Sequence, residues 1–512
     1  MNATYRQTVA SDLKTLSLTG FLCLLSGCMV TPTVLTTTEI NSRVDQDLQQ
    51  LTIDQEPVMA PIDLYEAMAR ALKYNLDAKV EVMKTMLTHQ SLDLAHYDLL
   101  PKLVANAGYD GRSNFSGARS RSLLSGQTSL EPSTSSDKNL YSADLSLSWD
   151  VLDFGLSYVR AKQAANDILI AEEEKRRVAN RVVQEVRMAY WRAVSADRML
   201  GPLTHLDDWV TKALNNAQTI NRRHLDSPLS SLQYQRELMT THNEIQKLHH
   251  KLSLARIELA TLMNLPPGET YELVLPEHPA TIPGITIALE TLERQALENR
   301  PELRTIDYRK RIQAQETKAA ILEMLPNLNL QFGPNYNSNS FLFNNHWLTY
   351  GAKISWNLLN LFRKPAHFKM LEAQKDVLDA QSLALTMAVM TQVHVSMAQL
   401  TAAQIEVRNT RRYHETQQKI SEHVQTFWAA NRLSEQTAIR ERLNNLLAEI
   451  RFNVAMADLE AAYANLLGAV GEDPVPFVTP DTSMTELAKA LRTRWKQFIK
   501  TDTGGTGTAQ SS

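Results

Sequence analysis

Four short stretches of the chain alternate between apolar and polar residues. They cover about residues 102–110, 141–149, 327–333 and 348–356. In the second stretch the odd-numbered positions are apolar or aromatic and end at Trp149, while the even-numbered positions are polar. A period of two predicts β-strands, and strands of about nine residues with one apolar face suit a tilted membrane barrel. A half-buried soluble sheet would show the same alternation, and four strands cannot close a useful barrel without other subunits.

Polar, turn-rich segments separate the strands of each pair. Arg112 to Asp137 is rich in Ser, Gly and Arg, and Asn335 to Asn345 is rich in Asn. This composition predicts loops on an exposed outer surface. The charged run Glu172–Arg177 is expected to form a solvated helix face.

Apolar residues in the rest of the chain recur at steps of three and four, which predicts helices packed as coiled coils. Segments 155–222 and 362–429 each hold 68 residues, or roughly 100 Å of helix. Pro202 inside the first segment predicts a bend or an interruption. The seams are rich in Ala, whose small side chains let helices approach closely, as in a wide tube. The seam positions are Val182, Val186, Ala189, Ala193, Ala196, Leu200, Leu203, Leu206, Val210, Ala213, Ala217 and Ile220, then Ile245, Leu248, Leu252, Ala255, Leu259 and Leu262, and finally Leu443, Leu447, Ile450, Val454, Ala457, Ala461 and Ala464.

Two turns are predicted between the long helices. One runs from His224 to Leu229 and the other from Ala430 to Ser434. Ser227 and Ser434 are suitable N-caps for the returning helices, and Pro228 suits a first helical position.

The chain carries an internal duplication. Leu100-Pro101 matches Leu325-Pro326 at an offset of 225 residues, and Ala71-Leu72 matches Ala296-Leu297 at the same offset. Trp149 matches Trp356 at an offset of 207. Repeats of this size predict a duplicated structural half and not a short-repeat solenoid.

The N-terminus has the features of a bacterial lipoprotein signal. Arg6 and Lys14 precede a short apolar core, and Leu25-Ser26-Gly27 leads directly to Cys28. The small residues suit a peptidase, and the thiol of Cys28 is the expected lipid acceptor. An ordinary secretory signal with an incidental cysteine is the alternative. Residue 29 is Met, so the Asp that retains enterobacterial lipoproteins in the inner membrane is absent.

Composition excludes several classes of protein. The net charge of −3 gives no basic field for nucleic acid, and two cysteines cannot form a disulfide scaffold or an all-cysteine zinc site. Only 17 of 512 residues are Gly, which disfavours a many-turned soluble β-sandwich. No phosphate-binding, dinucleotide-binding, zinc-protease or nucleophile-elbow motif occurs, so no enzyme activity, metal or cofactor is expected. Outside the signal no stretch has 18 consecutive apolar residues, so no transmembrane helix is expected.

The order of these features resembles the outer-membrane factors of the TolC family, in particular the lipidated branch of tripartite drug-efflux systems. The resemblance rests on Ala71–Asn75 with Leu100-Pro101, on Ala296–Pro301 with Leu325-Pro326, on Leu147–Gly155 and on Ala189-Tyr190. It covers about residues 60 to 475. The implied fold is an α+β membrane protein built from a duplicated helix-strand-strand-helix unit. Three subunits would form a 12-stranded outer-membrane barrel continuous with a long periplasmic helical barrel.

The resemblance also implies partners and sites. A homotrimer would meet a periplasmic adaptor (membrane fusion) protein and, through it, an inner-membrane pump, with outer-membrane lipid around the barrel. Glu422, with Glu415 before it and Arg432 as a basic neighbour, occupies the stretch that lines the closed periplasmic aperture in the family. The implied adaptor contacts at the helix tips are His224, Asp226, Ser227, Asn431, Leu433 and Ser434. The family usually has Gly at the tip turns, whereas this chain has His224 and Asn431.

The expected organisation follows from these observations. It comprises a signal peptide (1–27), a lipidated linker (28–60), a first repeat (61–280), a second repeat (281–475) and a periplasmic tail (476–512). The first repeat would contain a helix hairpin at about 155–264, and the second one at about 362–468. The expected function is a passive outer-membrane duct for drugs or other small molecules. The alternatives are a lipid-anchored coiled-coil envelope protein without a channel and the duct of a type I protein secretion system.

Overall fold

The computed structural model describes residues 32–222, 228–276, 287–472 and 482–503, except for positions 52, 54 and 267. Internal contacts divide the chain into two units, Met1–Glu56 and Pro57–Ser512. The first unit contains helix α1 (Thr37–Gln50), in which no residue is buried. Thr36 and Glu39 form a capping box at its start, because each side chain accepts a hydrogen bond from the backbone N–H of the other.

The second unit is mostly helical and contains one antiparallel sheet. Its strands are β1 (Lys102–Gly111), β2 (Asn139–Asp150), β3 (Asn327–Asn337) and β4 (His346–Ser355), which neighbour one another in chain order. Its helices are α2 (Leu64–Tyr74), α3 (Leu76–Tyr97), α4 (Val151–Arg222), α5 (Pro228–Leu262), α6 (Leu289–Asn299), α7 (Pro301–Leu322), α8 (Asn360–Ala429), α9 (Glu435–Val470) and α10 (Met484–Thr503).

The strand register keeps apolar side chains on one face. Leu103 of β1 lies opposite Leu147 of β2, which in turn lies opposite Phe332 of β3. Phe332 lies opposite Tyr350 of β4. All four predicted strands are present, but β3 extends to Asn337, so the first residues of the predicted loop Asn335–Asn345 belong to the strand.

Strands β2 and β3 approach closely near Gly333. A Cβ atom added at Gly333 would lie 1.8 Å from the carbonyl oxygen of Leu145. Pro334 follows and has no N–H for the ladder, and no paired residues occur between Asp144↔Asn335 and Leu147↔Phe332. The sheet therefore requires glycine at position 333.

The long helices bury their apolar seams against one another. Val186, Ala193 and Leu203 of α4 are fully buried, and α4 packs against α3, α5, α7 and α9. Helix α4 has 72 residues and continues through Pro202, so the helix is not interrupted there, and the predicted bend stays a prediction. Met199 and Leu206 on either side of the proline belong to the same buried cluster, and this packing compensates for the lost backbone hydrogen bond.

Helix α10 closes the core around the start of the second unit. Leu487 and Leu491 are buried in the cluster that contains α2 and the middle of α4. The guanidinium of Arg187, which is 3% exposed, lies 3.8 Å from the ring centroid of Trp495 in α10. Its Nη1 donates to Glu460 Oε2 at 2.8 Å. A buried cation is thus stabilised by both an ion pair and an aromatic face.

The charged run Glu172–Arg177 is not a purely solvated face. Glu173 is only 7% exposed and accepts hydrogen bonds from Arg176 Nη1 at 3.2 Å and from Arg304 Nη1 at 3.5 Å. Arg176 also donates to the carbonyl oxygen of Gly471 at the end of α9. The prediction failed at Glu173 because helix α7, remote in sequence, brings Arg304 to it.

Candidate channel-forming surfaces

The two faces of the sheet have opposite chemistry, and in β2 they also differ in exposure, whereas every residue of β1 and β4 is exposed. Along β2 the odd-numbered residues are exposed and the even-numbered ones are partly covered. Leu145 and Trp149 on the apolar face are 41% and 43% exposed, and Ile354 of β4 is 72% exposed. A soluble sheet would bury this face and leave the polar one to water. An exposed apolar face beside a polar one is typical of strands in a membrane barrel.

The polar face is connected by hydrogen bonds between side chains. Asp150 Oδ1 accepts from Asn329 Nδ2 at 2.8 Å and from Asn327 Nδ2 at 2.9 Å. Asn106 Nδ2 donates to Asp144 Oδ2 at 3.0 Å, which ties β1 to β2. These amides and carboxylates suit a wet surface and would be costly in hydrocarbon.

Both outer edges of the sheet lack a strand partner within the described residues. Strand β1 pairs only with β2, and β4 pairs only with β3. An open edge presents unpaired N–H and C=O groups, which a bilayer core cannot satisfy. Both edges of the sheet are therefore open to pairing with further strands.

One described helix meets the length and composition criterion for crossing a membrane. Helix α8 contains an 18-residue window of mean hydropathy 1.3, of which 22% is buried. Val389 and Val393 of α8 belong to the apolar core beside α6 and α9. The expectation that the chain has no transmembrane helix stays a prediction.

The turn between α8 and α9 has the predicted local geometry. Asn431 has a φ of 56°, in the left-handed region that Asn tolerates better than most residues. Ser434 is the N-cap of α9, and its Oγ accepts from the N–H of Thr437 at 3.2 Å. Leu433 is exposed beside it. His224, Asp226 and Ser227 of the other predicted turn lie outside the described residues, while α5 begins at Pro228 as predicted.

The predicted aperture residues are accessible to solvent. Glu415 and Glu422 are exposed and lie seven residues apart on α8, which places them two turns apart on one helix face. Glu422 Oε1 accepts from Gln418 Nε2 at 3.3 Å. Arg432 is exposed beyond the turn, and among the described residues no salt bridge joins it to Glu415 or Glu422. A single chain brings these groups to one end of the hairpin without pairing them.

Contacts between the two hairpins near this end were not predicted. Trp209 of α4 and Trp428 of α8 have ring centroids 5.5 Å apart. Trp209 Nε1 also donates to Glu435 Oε1 at the start of α9, at 3.3 Å. Within the second hairpin, Gln417 Nε2 of α8 donates to Glu441 Oε2 of α9 at 2.9 Å. Residues 209 and 428 belong to different hairpins, and no periodicity in the sequence links them.

Burial raises the pKa values of several tyrosines in the helical part. Burial raises the pKa of Tyr271 to about 12, against the opposing effect of the nearby Arg256. Its hydroxyl donates to the carbonyl oxygen of Arg256 at 2.6 Å. Burial also raises the pKa of Tyr190, whose hydroxyl donates to the carbonyl oxygen of Val274 at 2.8 Å. These hydroxyls act as neutral structural donors.

Two further predicted features have no structural description. Cys28 and the preceding signal lie outside the described residues. Within the described residues, no group of three or more His, Cys, Asp or Glu side chains is placed to hold a metal ion.

Solved structures with the same fold are outer-membrane channels. No protein-family model matches the chain, and no curated protein matches it. The CmeC outer-membrane channel of Campylobacter jejuni has 14% identity and a TM-score of 0.62 over 91% of this chain and 98% of its own. The open state of the MtrE outer-membrane channel of Neisseria gonorrhoeae has 15% identity and a TM-score of 0.58 over 80% and 88%. The outer-membrane protein VceC of Vibrio cholerae has 13% identity and a TM-score of 0.58 over 80% and 96%.

At these identities the likeness shows the fold. The chain has the fold of these outer-membrane channels, and the resemblance to the TolC family is confirmed at the level of the fold.

Proposed function

We propose that this chain is the outer-membrane channel of a tripartite efflux system. The observation that carries the proposal is the polarity of the sheet. Its apolar face is exposed, while its polar face carries the network of Asn106, Asp144, Asn329 and Asp150. Inside a closed barrel the polar face would line water and the apolar face would contact lipid.

We propose that three copies close the barrel, and the open edges support this proposal. Pairing the β4 edge of one copy with the β1 edge of the next would satisfy both, and three four-stranded sheets would give twelve strands. A closed point group is the usual outcome of such a head-to-tail contact. The exposed apolar residues of α3 and α8, such as Met83 and Met387, would then meet neighbouring copies in the helical barrel.

Bilayer conductance tests the channel. We expect the purified protein to show heat-modifiable gel mobility and discrete conductance steps in planar bilayers. Asp144→Lys should lower the preference for cations, because its side chain would face the lumen. Ala143→Ser, at the neighbouring position on the lipid face, is the matched control and should leave selectivity unchanged. A coiled-coil lipoprotein without a channel would show neither conductance nor modified mobility.

We further propose that Glu422, with Glu415, lines a periplasmic constriction. Three copies of Glu422 around an axis would form a ring of like charge that favours cations and binds divalent ions. Arg432 is then a basic neighbour available for pairing when the hairpins move. Glu422→Ala should reduce block by divalent cations, whereas Glu372→Ala, an exposed carboxylate far along the same helix, should not. Equal block in both variants would remove the aperture assignment and leave the channel proposal intact.

The tip turns and the N-terminus complete the proposal. His224, Asp226, Ser227, Asn431, Leu433 and Ser434 would contact the periplasmic adaptor, and the adaptor would connect the channel to an inner-membrane pump. Cys28 would carry the lipid anchor. Incorporation of labelled fatty acid should be lost in Cys28→Ser, while the barrel would still hold the protein in the outer membrane. If the wild-type chain incorporates no label, the anchor assignment fails.

A further inference from the structure

The connection between β1 and β2 forms an ordered structure beyond the sheet, here called the outer ribbon (residues 112–138). Isolated antiparallel bridges join Ala118 to Ser133 and Arg121 to Thr128. These bridges make a two-stranded ribbon in which nearly every residue up to Glu131 is exposed. A two-stranded ribbon without a packed face is only marginally stable in water. Contact with another surface would therefore stabilise the outer ribbon.

The apex of the outer ribbon is a defined turn. The N–H of Gly126 donates to the carbonyl oxygen of Ser122 at 3.0 Å, and Gly126 has a φ of 68°. The N–H of Ser125 donates to Ser122 Oγ at 3.2 Å, and Arg121 Nε donates to the carbonyl oxygen of Gly126 at 2.9 Å. These hydrogen bonds fix the positions of the two residues that project from the turn.

Those two residues are leucines. Leu123 and Leu124 are each 102% exposed, and Leu130 further along the ribbon is 93% exposed. Turn positions usually carry Gly, Asn, Asp, Ser or Pro, which water solvates well. Two adjacent leucines at this apex expose apolar surface to water. Contact with an apolar surface would remove that unfavourable exposure.

The charged residues nearest the apex are all basic, whereas Glu131 and Asp137 lie closer to the sheet. Arg112, Arg119 and Arg121 are the only charged residues between positions 111 and 131. All three are exposed, and among the described residues none forms a salt bridge. Leucines beside unpaired arginines form the combination that binds anionic membrane surfaces, in which apolar groups enter the interface and cations meet phosphates.

The neighbouring β3–β4 loop adds a second exposed apolar group at the same end of the sheet. Phe343 in that loop is 106% exposed. Asp137 at the base of the outer ribbon accepts from the N–H of Ser340 at 2.6 Å, and Asn339 Nδ2 donates to the carbonyl oxygen of Ser135 at 3.0 Å. The two loops are therefore tied together and would meet one surface as a unit.

We infer that the outer ribbon binds the outer face of the membrane, with Leu123 and Leu124 inserted between lipids and the arginines on phosphate-bearing headgroups. This inference rests on the proposed function, which places this end of the sheet at the membrane exterior. A cap formed by three copies of the ribbon is disfavoured. It would gather nine arginines around one axis, and in each copy the basic residues of the ribbon outnumber the acidic residues Glu131 and Asp137.

Lipid contact at the apex tests the inference in the full-length protein. Leu124→Cys, in a Cys23→Ser/Cys28→Ser background, is labelled with an environment-sensitive fluorophore. The labelled protein is reconstituted into vesicles of phosphatidylcholine, with or without phosphatidylglycerol. Spin-labelled lipid should quench the probe strongly in the anionic vesicles and weakly in the neutral ones. Added salt should reduce the quenching, because exposed charges are screened.

Charge variants distinguish the ribbon from general electrostatic attraction. Arg119→Gln/Arg121→Gln should lower the equilibrium constant for binding of the ribbon to the anionic surface by about 30-fold, which is the usual contribution of two basic residues at such a surface. Lys212→Gln/Lys247→Gln removes two exposed charges from the long helices and should leave quenching unchanged.

Three outcomes would overturn the inference. They are equal quenching in both kinds of vesicle, no response to the arginine substitutions, and efficient disulfide formation between Leu124→Cys copies. The last would show that the ribbon packs on its own copies. Heat-modifiable mobility is measured on the same samples, so a formed barrel without lipid contact refutes the ribbon inference alone. Loss of modified mobility in the wild type refutes the proposed function instead.

Discussion

The sheet and the long helices of this chain expose opposite chemistry. In the helices the apolar seam is buried, as at Leu203 and Leu459, and charged residues such as Lys247 and Glu415 are exposed. In the sheet the apolar residues Leu145 and Ile354 are exposed, and in β2 the polar residues lie on the more covered face. Both regions are amphipathic, but they are built for different surroundings.

This difference indicates where each region works. A helical seam buries apolar surface because water surrounds it. A sheet with an exposed apolar face is stable only if hydrocarbon replaces water on that face. A boundary between the two solvents is therefore expected where β2 continues directly into α4, at Asp150 and Val151.

Leucine truncation should have the largest effect in the helices. Leu203→Ala removes a fully buried side chain from the seam and should cost about 2–5 kcal/mol, because a cavity remains. Leu145→Ala, on the exposed face of the sheet, should cost much less. Chemical denaturation followed by helical circular dichroism measures the stability lost in Leu203→Ala. The temperature at which the gel mobility changes on heating measures the effect of both substitutions. Equal losses would remove the distinction between the regions.

Charge insertion should separate the two faces of the sheet. Leu145→Arg and Ile354→Arg place a cation on the lipid face and should cost about 2–4 kcal/mol near the bilayer midplane. Ser146→Arg, on the other face, should be milder because water would solvate it. The yield of folded protein and its heat-modifiable mobility are the readouts. Equal effects from both faces would favour a soluble sheet.

Two glycines should respond differently to alanine. Gly333→Ala meets the backbone carbonyl of Leu145, which cannot move without disturbing the sheet, and should cost about 1–3 kcal/mol. At Gly468 in α9 the obstacle is the side-chain amide of Gln184, which can rotate away. Gly468→Ala should be nearly neutral, because alanine also favours the helix. A destabilised Gly468→Ala with an unaffected Gly333→Ala in thermal melts would contradict this assignment.

High pH should reduce the stability of the helical core by less than the substitutions above, and only between about pH 10 and pH 12. The pKa of Tyr271 is raised to about 12, above the unfolded value of about 10. Its stabilisation is therefore complete below pH 10 and is lost as the pH rises to 12. Tyr271→Phe should flatten the pH dependence of the denaturation midpoint in this window, while Tyr413→Phe, at an exposed position, should not. An unchanged slope in Tyr271→Phe would refute the role of this hydroxyl.

Features that depend on neighbours in sequence were predictable. The alternation along 141–149 determined the two faces of β2, because side chains of a strand alternate regardless of what covers them. The seam spacing predicted helices along the parts of the chain that form α4, α5 and α9, and Asn431 and Ser434 predicted the geometry of one tip turn, because these preferences are local. The division of the chain into its repeats and the roles of the site residues remain predictions.

Features that depend on partners distant in sequence were decided by the tertiary structure. Packing of Met199 and Leu206 into one cluster carried α4 through Pro202, against the local preference. Helix α7 brought Arg304 to Glu173 and so buried a carboxylate that looked solvated. The contact of Trp209 with Trp428 joined two hairpins across 219 positions. A local sequence pattern determines the face of the helix or strand on which a side chain lies. Whether that side chain is buried or paired depends on other helices and strands, which only the folded chain brings to it. Those elements are remote in sequence and share no repeating pattern with it.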